Sequence, residues 1–122
     1  MNTTLLCTIL VIEDSLSEME LMSHYLREDG FVVLNAIGAK QGLEVAVDQK
    51  PNVIVTDVVM PGIDGPTLAQ RIRQNSPDLK IIFISGYTED KLKDYMAPNT
   101  YFLPKPFSLK QLAAKVKEVL EE

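Results

Sequence analysis

The chain has no tryptophan, one cysteine and one histidine among its 122 residues. A lone thiol, Cys7, cannot close an intrachain disulfide, so nothing in the sequence asks for an oxidising compartment and cytoplasmic residence is the default expectation. With no His or Cys partner spaced near it, Cys7 reads as a small apolar residue at the start of a strand rather than a reactive thiol. His24 falls inside a helical stretch and reads as a surface residue, not a general base or a phosphorelay histidine. No apolar run approaches the length of a membrane span. The apolar opening that ends in Ile12 runs straight into Glu13 and Asp14 with no basic region before it, which argues against a signal peptide. Basic residues do not gather into a run, and the formal net charge is −5. Direct nucleic-acid binding, which depends on neutralising several phosphates, is therefore not expected.

What the sequence does contain is an alternation of two patterns. Short unbroken runs of β-branched and apolar residues at 8–12, 31–34, 53–56, 81–84 and 100–103 read as five strands. Between them lie stretches with apolar residues every three or four positions. Met19, Met22 and Leu26 mark a first helix over about 17–28, with Gly30 as its stop. Leu43, Ala46 and Val47 mark a second that ends before Pro51, and Leu68 with Ile72 a third that opens near Pro66. Leu92, Tyr95 and Met96 suggest a short fourth, stopped by Pro98. Ser108 reads as the N-cap of a fifth whose stripe is Leu109, Leu112, Val116, Val119 and Leu120. Strands that read as continuous apolar runs and are separated by helices predict a parallel sheet covered on both faces, a doubly wound α/β sandwich. The length fits one domain over 1–122, with no output domain.

In such sheets ligands sit at the carboxyl ends of strands, so the residues there are the candidates for chemistry. Glu13 and Asp14 follow the first strand, Asp57 the third, Ser85 the fourth, and Lys105 comes just after the fifth. Crowded carboxylates repel one another unless a cation joins them, and oxygen ligands suit a hard divalent ion such as Mg²⁺. A metal-assisted phosphoryl-transfer site follows, with Asp57 as the covalent nucleophile, Lys105 as a second positive charge and the Ser85 hydroxyl as a donor to a phosphoryl oxygen. The turn residues of "MPGIDG" supply bends, and Asp64 is given no catalytic part.

Four segments carry a resemblance: "ILVIEDS" at 9–15, "VIVTDVVMPGIDG" at 53–65, "IIFISGY" at 81–87 and "FLPKPF" at 102–107. In this order and at these separations the chain resembles the receiver domains of bacterial response regulators and hybrid histidine kinases over almost its whole length. The resemblance implies a flavodoxin-like sandwich with five parallel strands in the order 2-1-3-4-5 and five helices. It implies that Asp57 is the phosphoacceptor, that Asp14, Asp57 and the Val59 carbonyl bind Mg²⁺, and that Glu13 acts through a metal-bound water. Ser85 and Phe102 match the switch pair, Lys105 the phosphate-pairing lysine, and the Lys105–Pro106 bond is expected to be cis.

The function so implied is a phosphorelay step, from a phosphohistidine on a histidine kinase or histidine phosphotransfer protein to Asp57. A downstream protein then reads the change on a face made by the fourth helix, fifth strand and fifth helix. Such a domain assists its own phosphorylation and dephosphorylation without being an enzyme in the usual sense. It is expected to be a monomer, with dimerisation on phosphorylation left open. Val59 and Tyr87 offer no carboxylate or amide to orient a water, which suggests slow loss of the phosphoryl group. Between Ser85 and Lys105 the match is looser, the interval being shorter than usual for the family. The first half is most similar to stand-alone receivers, whereas "FLPKPFSLKQL" is more similar to receivers of hybrid kinases. Two other classes fit less well: a flavodoxin needs a phosphate-cradling loop where Glu13 and Asp14 stand, and an aspartate-based phosphatase needs an acid where Val59 stands.

Overall fold

The computed structural model describes residues 7–59, 61–86 and 97–121. Its elements are β1 (Thr8–Glu13), α1 (Leu16–Glu28), β2 (Val32–Ile37), α2 (Gly38–Gln49), β3 (Val53–Asp57), α3 (Gly65–Arg73), β4 (Lys80–Ser85), β5 (Thr100–Pro104) and α4 (Leu109–Leu120). The five strands form one sheet in the order β2-β1-β3-β4-β5, with every pairing parallel. The described residues hold four helices rather than five. The helix expected around Leu92, Tyr95 and Met96 falls on 87–96, outside the described residues, so α4 is the helix that the sequence placed fifth.

The strands are apolar without a break because both faces are covered. Successive side chains point to opposite faces of a strand. Ile9 and Val11 of β1, Val53 and Val55 of β3, and Ile82 and Ile84 of β4 therefore join one core, with Met19, Met22 and Leu26 of α1 and Leu112, Val116 and Val119 of α4. Leu10, Ile12, Ile54, Ile81 and Phe83 point the other way, to Ala46 of α2 and Leu68 and Ile72 of α3. Each large side chain buried in this way contributes about 2 kcal/mol relative to exposure. The methionines of α1 are core filling, as expected, and Cys7 packs against the same core.

Three of the four described helices start on a short polar side chain, α2 being the exception with Ile37 at its head. Ser15 accepts from Glu18 N, so α1 begins at Leu16, just before the expected position. Asp64 accepts from Thr67 N at 2.8 Å at the head of α3, and Ser108 forms a reciprocal capping box with Gln111 at the head of α4. In α2 the buried residues are Ala39, Gly42 and Ala46, whereas Val47 is exposed. This helix packs so close to β1 that a Cβ on Gly42 would lie 2.7 Å from Ile12 Cδ1. β1 and β2 run further than their apolar cores suggested, since the backbone ladder continues to the pair Glu13 and Ile37 whatever the side chains are. None of the described helices is long and apolar enough to cross a membrane.

Candidate functional site

Glu13, Asp57 and Ser85, expected to follow their strands, are instead the last strand residues: Glu13 ends β1, Asp57 ends β3 and Ser85 ends β4, while Asp14 follows β1 as expected. Being inside the sheet, they inherit its burial. Glu13 is 2% exposed and Asp57 9%, while Asp14, one residue beyond β1, is exposed. The Glu13 carboxylate folds back over the start of the next loop, its Oε1 accepting from Asp14 N at 3.1 Å and Ser15 N at 3.2 Å. One oxygen each of Glu13, Asp14 and Asp57 lies within 4.8 Å of the others.

Asp57 is fixed from below by the sheet and from the side by a glycine. Val58 N donates to Ile84 O at 3.2 Å, carrying the β3–β4 pairing one residue past the carboxylate. Gly65 N donates to Val58 O at 2.7 Å, closing the loop between β3 and α3. A Cβ on Gly65 would stand 2.4 Å from the backbone oxygen of Asp57 and 3.1 Å from the Phe83 ring, so only glycine lets α3 start this close to the end of β3.

Lys105 completes the site from the last strand. Its backbone N donates to Ser85 O at 2.8 Å, and its Nζ lies 3.2 Å from Asp57 Oδ2. Asp57, Val59, Ser85, Gly86 and Lys105 line one cleft. The Lys105–Pro106 bond is cis, as the resemblance implied. Phe102 is partly buried and packs against the core on the α2 and α3 side. Tyr87 lies outside the described residues.

Electrostatically the cluster is under tension. Burial first, then the hydrogen bond with the Asp14 side chain and the charge of Asp57, push the Glu13 carboxyl up to about 8, against the Ser15 backbone N–H, which lowers it. Burial alone would lower the Lys105 pKa, but the carboxylates of Asp57, Glu13 and Glu18 outweigh it and hold the ammonium above the ordinary lysine value. Three clustered carboxylates suit a hard divalent cation bound through oxygen. The donor chemistry thus fits Mg²⁺.

Residues 9–117 match the response regulator receiver domain family. The chain belongs to that family. Receiver domains serve two-component signalling, exchanging signals with histidine kinases or phosphotransfer proteins and with downstream effectors. Sensor kinase CckA of Brucella abortus (strain 2308) is 41% identical to this receiver domain over 119 residues, which make up 94% of the chain and 13% of the kinase. The chain also spans about half the length of the transcriptional regulators that it matches. The crystal structure of the receiver domain from hybrid histidine kinase CckA superposes with a TM-score of 0.80 at 35% identity, covering 93% of this chain and 98% of that one. The chemotaxis response regulator CheY4 of Vibrio cholerae gives a TM-score of 0.84 at 24% identity over the same shares, a likeness of fold. The sheet order predicted from the resemblance is borne out in this chain.

Three contributors escaped the sequence reading. Gly65 was legible only as a turn residue, Asp64 only as part of a bend, and Ser15 went unremarked as the cap of α1. Each has a local signal, a polar residue or glycine just ahead of an apolar-periodic stretch. That signal gives a helix start but not the closeness of Gly65 to the phosphoacceptor candidate.

Proposed function

We propose that Asp57 accepts a phosphoryl group from a phosphohistidine on a histidine kinase or histidine phosphotransfer protein, in a Mg²⁺-dependent step, and that the resulting charge switches a protein-binding face. The observation that carries this reading is the Lys105 ammonium 3.2 Å from Asp57 Oδ2, with one oxygen each of Glu13 and Asp14 within 4.8 Å of an oxygen of the same carboxylate. The Asp57 carboxylate attacks phosphorus, the P–N bond to the donor imidazole breaks, and its electron pair stays with the imidazole. Lys105 orients the attacking group and offsets the charge that arrives on the phosphoryl oxygens. Asp14, Asp57 and the Val59 carbonyl would hold Mg²⁺ directly, with Glu13 acting through a water. When bound, the ion neutralises charge on the transferring group and relieves the crowding of the acids.

Ser85 lines the same cleft and would donate to the phosphoryl group, and Phe102 would follow it, biasing a pre-existing equilibrium between two arrangements. The readout face is assigned to the segment after Ser85 together with β5 and α4. Likeness to the receiver of a hybrid histidine kinase supports a place in a multistep relay with a phosphotransfer protein as partner. The domain is a phosphoacceptor that assists its own chemistry and is not otherwise an enzyme.

The test is incubation with a small phosphodonor and Mg²⁺ followed by intact-mass measurement. The expected result is a gain of one phosphoryl mass in the native chain and none in Asp57→Asn, because an amide cannot take its place as nucleophile. A gain that persists in Asp57→Asn, or that is indifferent to removal of Mg²⁺, overturns the proposal.

A further inference from the structure

At the end of the sheet remote from the site, one side chain joins three segments. The Arg73 guanidinium, at the last residue of α3, donates from Nε and Nη2 to Leu79 O at 3.3 and 3.0 Å, from Nη2 to Asn99 O at 2.7 Å, and from Nη1 to Thr100 Oγ1 at 2.8 Å. Leu79 immediately precedes β4, Asn99 immediately precedes β5, and Thr100 opens β5. Leu79 and Thr100 are buried and Arg73 is half-buried. Among the described residues no carboxylate lies within ion-pair reach of this guanidinium, so its donors go to neutral oxygens. Burial lowers its pKa from the ordinary arginine value.

The acceptors are themselves part of the strand register. Asn99 O also accepts from Ile81 N at 3.0 Å, the first rung between β4 and β5, and Thr100 N donates to Ala97 O at 3.1 Å. Asn99 has φ 64°, the left-handed conformation that asparagine tolerates. From this rung the pairing runs Ile81 to Thr100, Phe83 to Phe102 and Ser85 to Pro104, and the next residue is Lys105. A slip of one residue would move Lys105 by roughly 3.3 Å along the strand and turn Phe102 to the other face. The far ends of all three tethered elements carry the site. α3 starts against Asp57, β4 ends in Ser85, and β5 leads to Lys105.

We infer that Arg73 is a positioning residue for phosphoryl transfer, a latch that fixes the β4–β5 register at one end of the sheet and thereby the placement of Ser85, Phe102 and Lys105 around Asp57 at the other. The inference rests on the receiver reading above for its functional consequence, and on the hydrogen-bond pattern alone for its structural one. A planar fork with five donors suits several oxygens in one plane, which an ammonium cannot match. Among the described residues the latch bonds to Leu79, Asn99 and Thr100 and to nothing on β1 or β3, the strands that carry Glu13 and Asp57 and lead to Asp14 and Val59, so it should govern the rate of transfer without governing metal affinity.

The test uses Arg73→Lys, which keeps charge and bulk, and Thr100→Val, which removes a single acceptor with little change of shape. Phosphorylation by a small phosphodonor is followed by intact mass, Mg²⁺ affinity by calorimetry, and the β4–β5 ladder by amide hydrogen exchange. The expected result for Arg73→Lys is a transfer rate about tenfold lower per folded molecule, as for a misplaced reacting group. Mg²⁺ affinity should be unchanged, and exchange should be faster at Thr100 and Phe102 than in β1. Thr100→Val should show a smaller loss of rate in the same direction, and the double variant should fall short of the sum, because the two residues share one bond. An unchanged rate in Arg73→Lys, or rate and Mg²⁺ affinity falling together, overturns the latch. If the native chain takes no phosphoryl group at all, the receiver reading fails instead, and the exchange pattern alone decides whether the latch exists.

Discussion

The two ends of the parallel sheet are held by opposite kinds of polar contact. At the carboxyl ends of the strands, Glu13, Asp14, Asp57 and Lys105 bring formal charges into a partly buried cleft, and the Glu13 pKa is displaced as a result. At the amino ends, Arg73 spends its donors on neutral oxygens, and Thr8 and Asn52 pair through Thr8 N to Asn52 Oδ1 at 2.8 Å and Asn52 N to Thr8 O at 2.9 Å. Charge that is poorly compensated is a means of responding to an added ion or phosphoryl group, whereas satisfied neutral contacts hold a register. One end is built to change its charge and the other to stay in place.

Removal of the Lys105 ammonium at the charged end should have the largest effect. In Lys105→Met the transfer rate should drop roughly 100-fold, the usual scale for deleting a group aimed at developing charge. Circular dichroism should remain native because the side chain is 38% exposed. A rate close to that of the native chain would mean that this end does not depend on its lysine.

A methyl group added at the same end should cost stability as well as rate. Gly65→Ala places a Cβ 2.4 Å from the backbone oxygen of Asp57, which cannot swing away, so a loss of about 2 kcal/mol in denaturant unfolding is expected. Gly42→Ala is the control. Its nearest atom, Ile12 Cδ1 at 2.7 Å, is the tip of a flexible side chain, and alanine recovers up to about 1 kcal/mol of helix propensity. Equal costs at the two glycines would mean that the fixed backbone oxygen at Asp57 is no harder to accommodate than the movable tip of Ile12.

The pH response separates the ends further. Glu13 holds its proton more tightly in the folded chain, up to about 8 against an ordinary 4.5. Its contribution to metal-free stability is therefore full below 4.5 and is lost as the pH rises through about 8. The raised Lys105 pKa favours the folded chain wherever the ammonium is charged and so does not vary over that window. The melting temperature of the metal-free protein should fall across it, less so in Glu13→Gln, and Mg²⁺ should restore most at the alkaline end. A melting temperature equally pH-dependent in Glu13→Gln would remove Glu13 as the source.

Much of this was legible from residues alone. Strands buried on both faces announce themselves as unbroken apolar runs, and Glu13, Asp14, Asp57, Ser85 and Lys105 were legible together because strand ends converge in a parallel sheet. Polar residues hid the full length of two strands: Glu13 ends β1 and Asn35 lies inside β2, since ladder hydrogen bonds do not depend on side-chain polarity. The Arg73 contacts were not legible at all. Two of the four join residues 26 and 27 positions apart, and nothing local distinguishes this arginine from the exposed Arg71.

The smallest expected effect sharpens the comparison most, because it divides stability from rate. Ser108 lies just beyond Lys105, and its side chain accepts from Gln111 N at 3.0 Å while Gln111 Oε1 accepts from Ser108 N at 2.7 Å. Ser108→Ala leaves that helix start without its cap and should cost about 1 kcal/mol. The lysine's position, however, is set by its backbone bond to Ser85 and by the β4–β5 register, neither of which passes through α4. Stability should therefore fall while the transfer rate per folded molecule stays at the native value, the reverse of the pattern expected for Arg73→Lys. If Ser108→Ala slows transfer in proportion to its loss of stability, then placement of the lysine depends on the whole fold, and the division between a responsive end and a fixed end is lost.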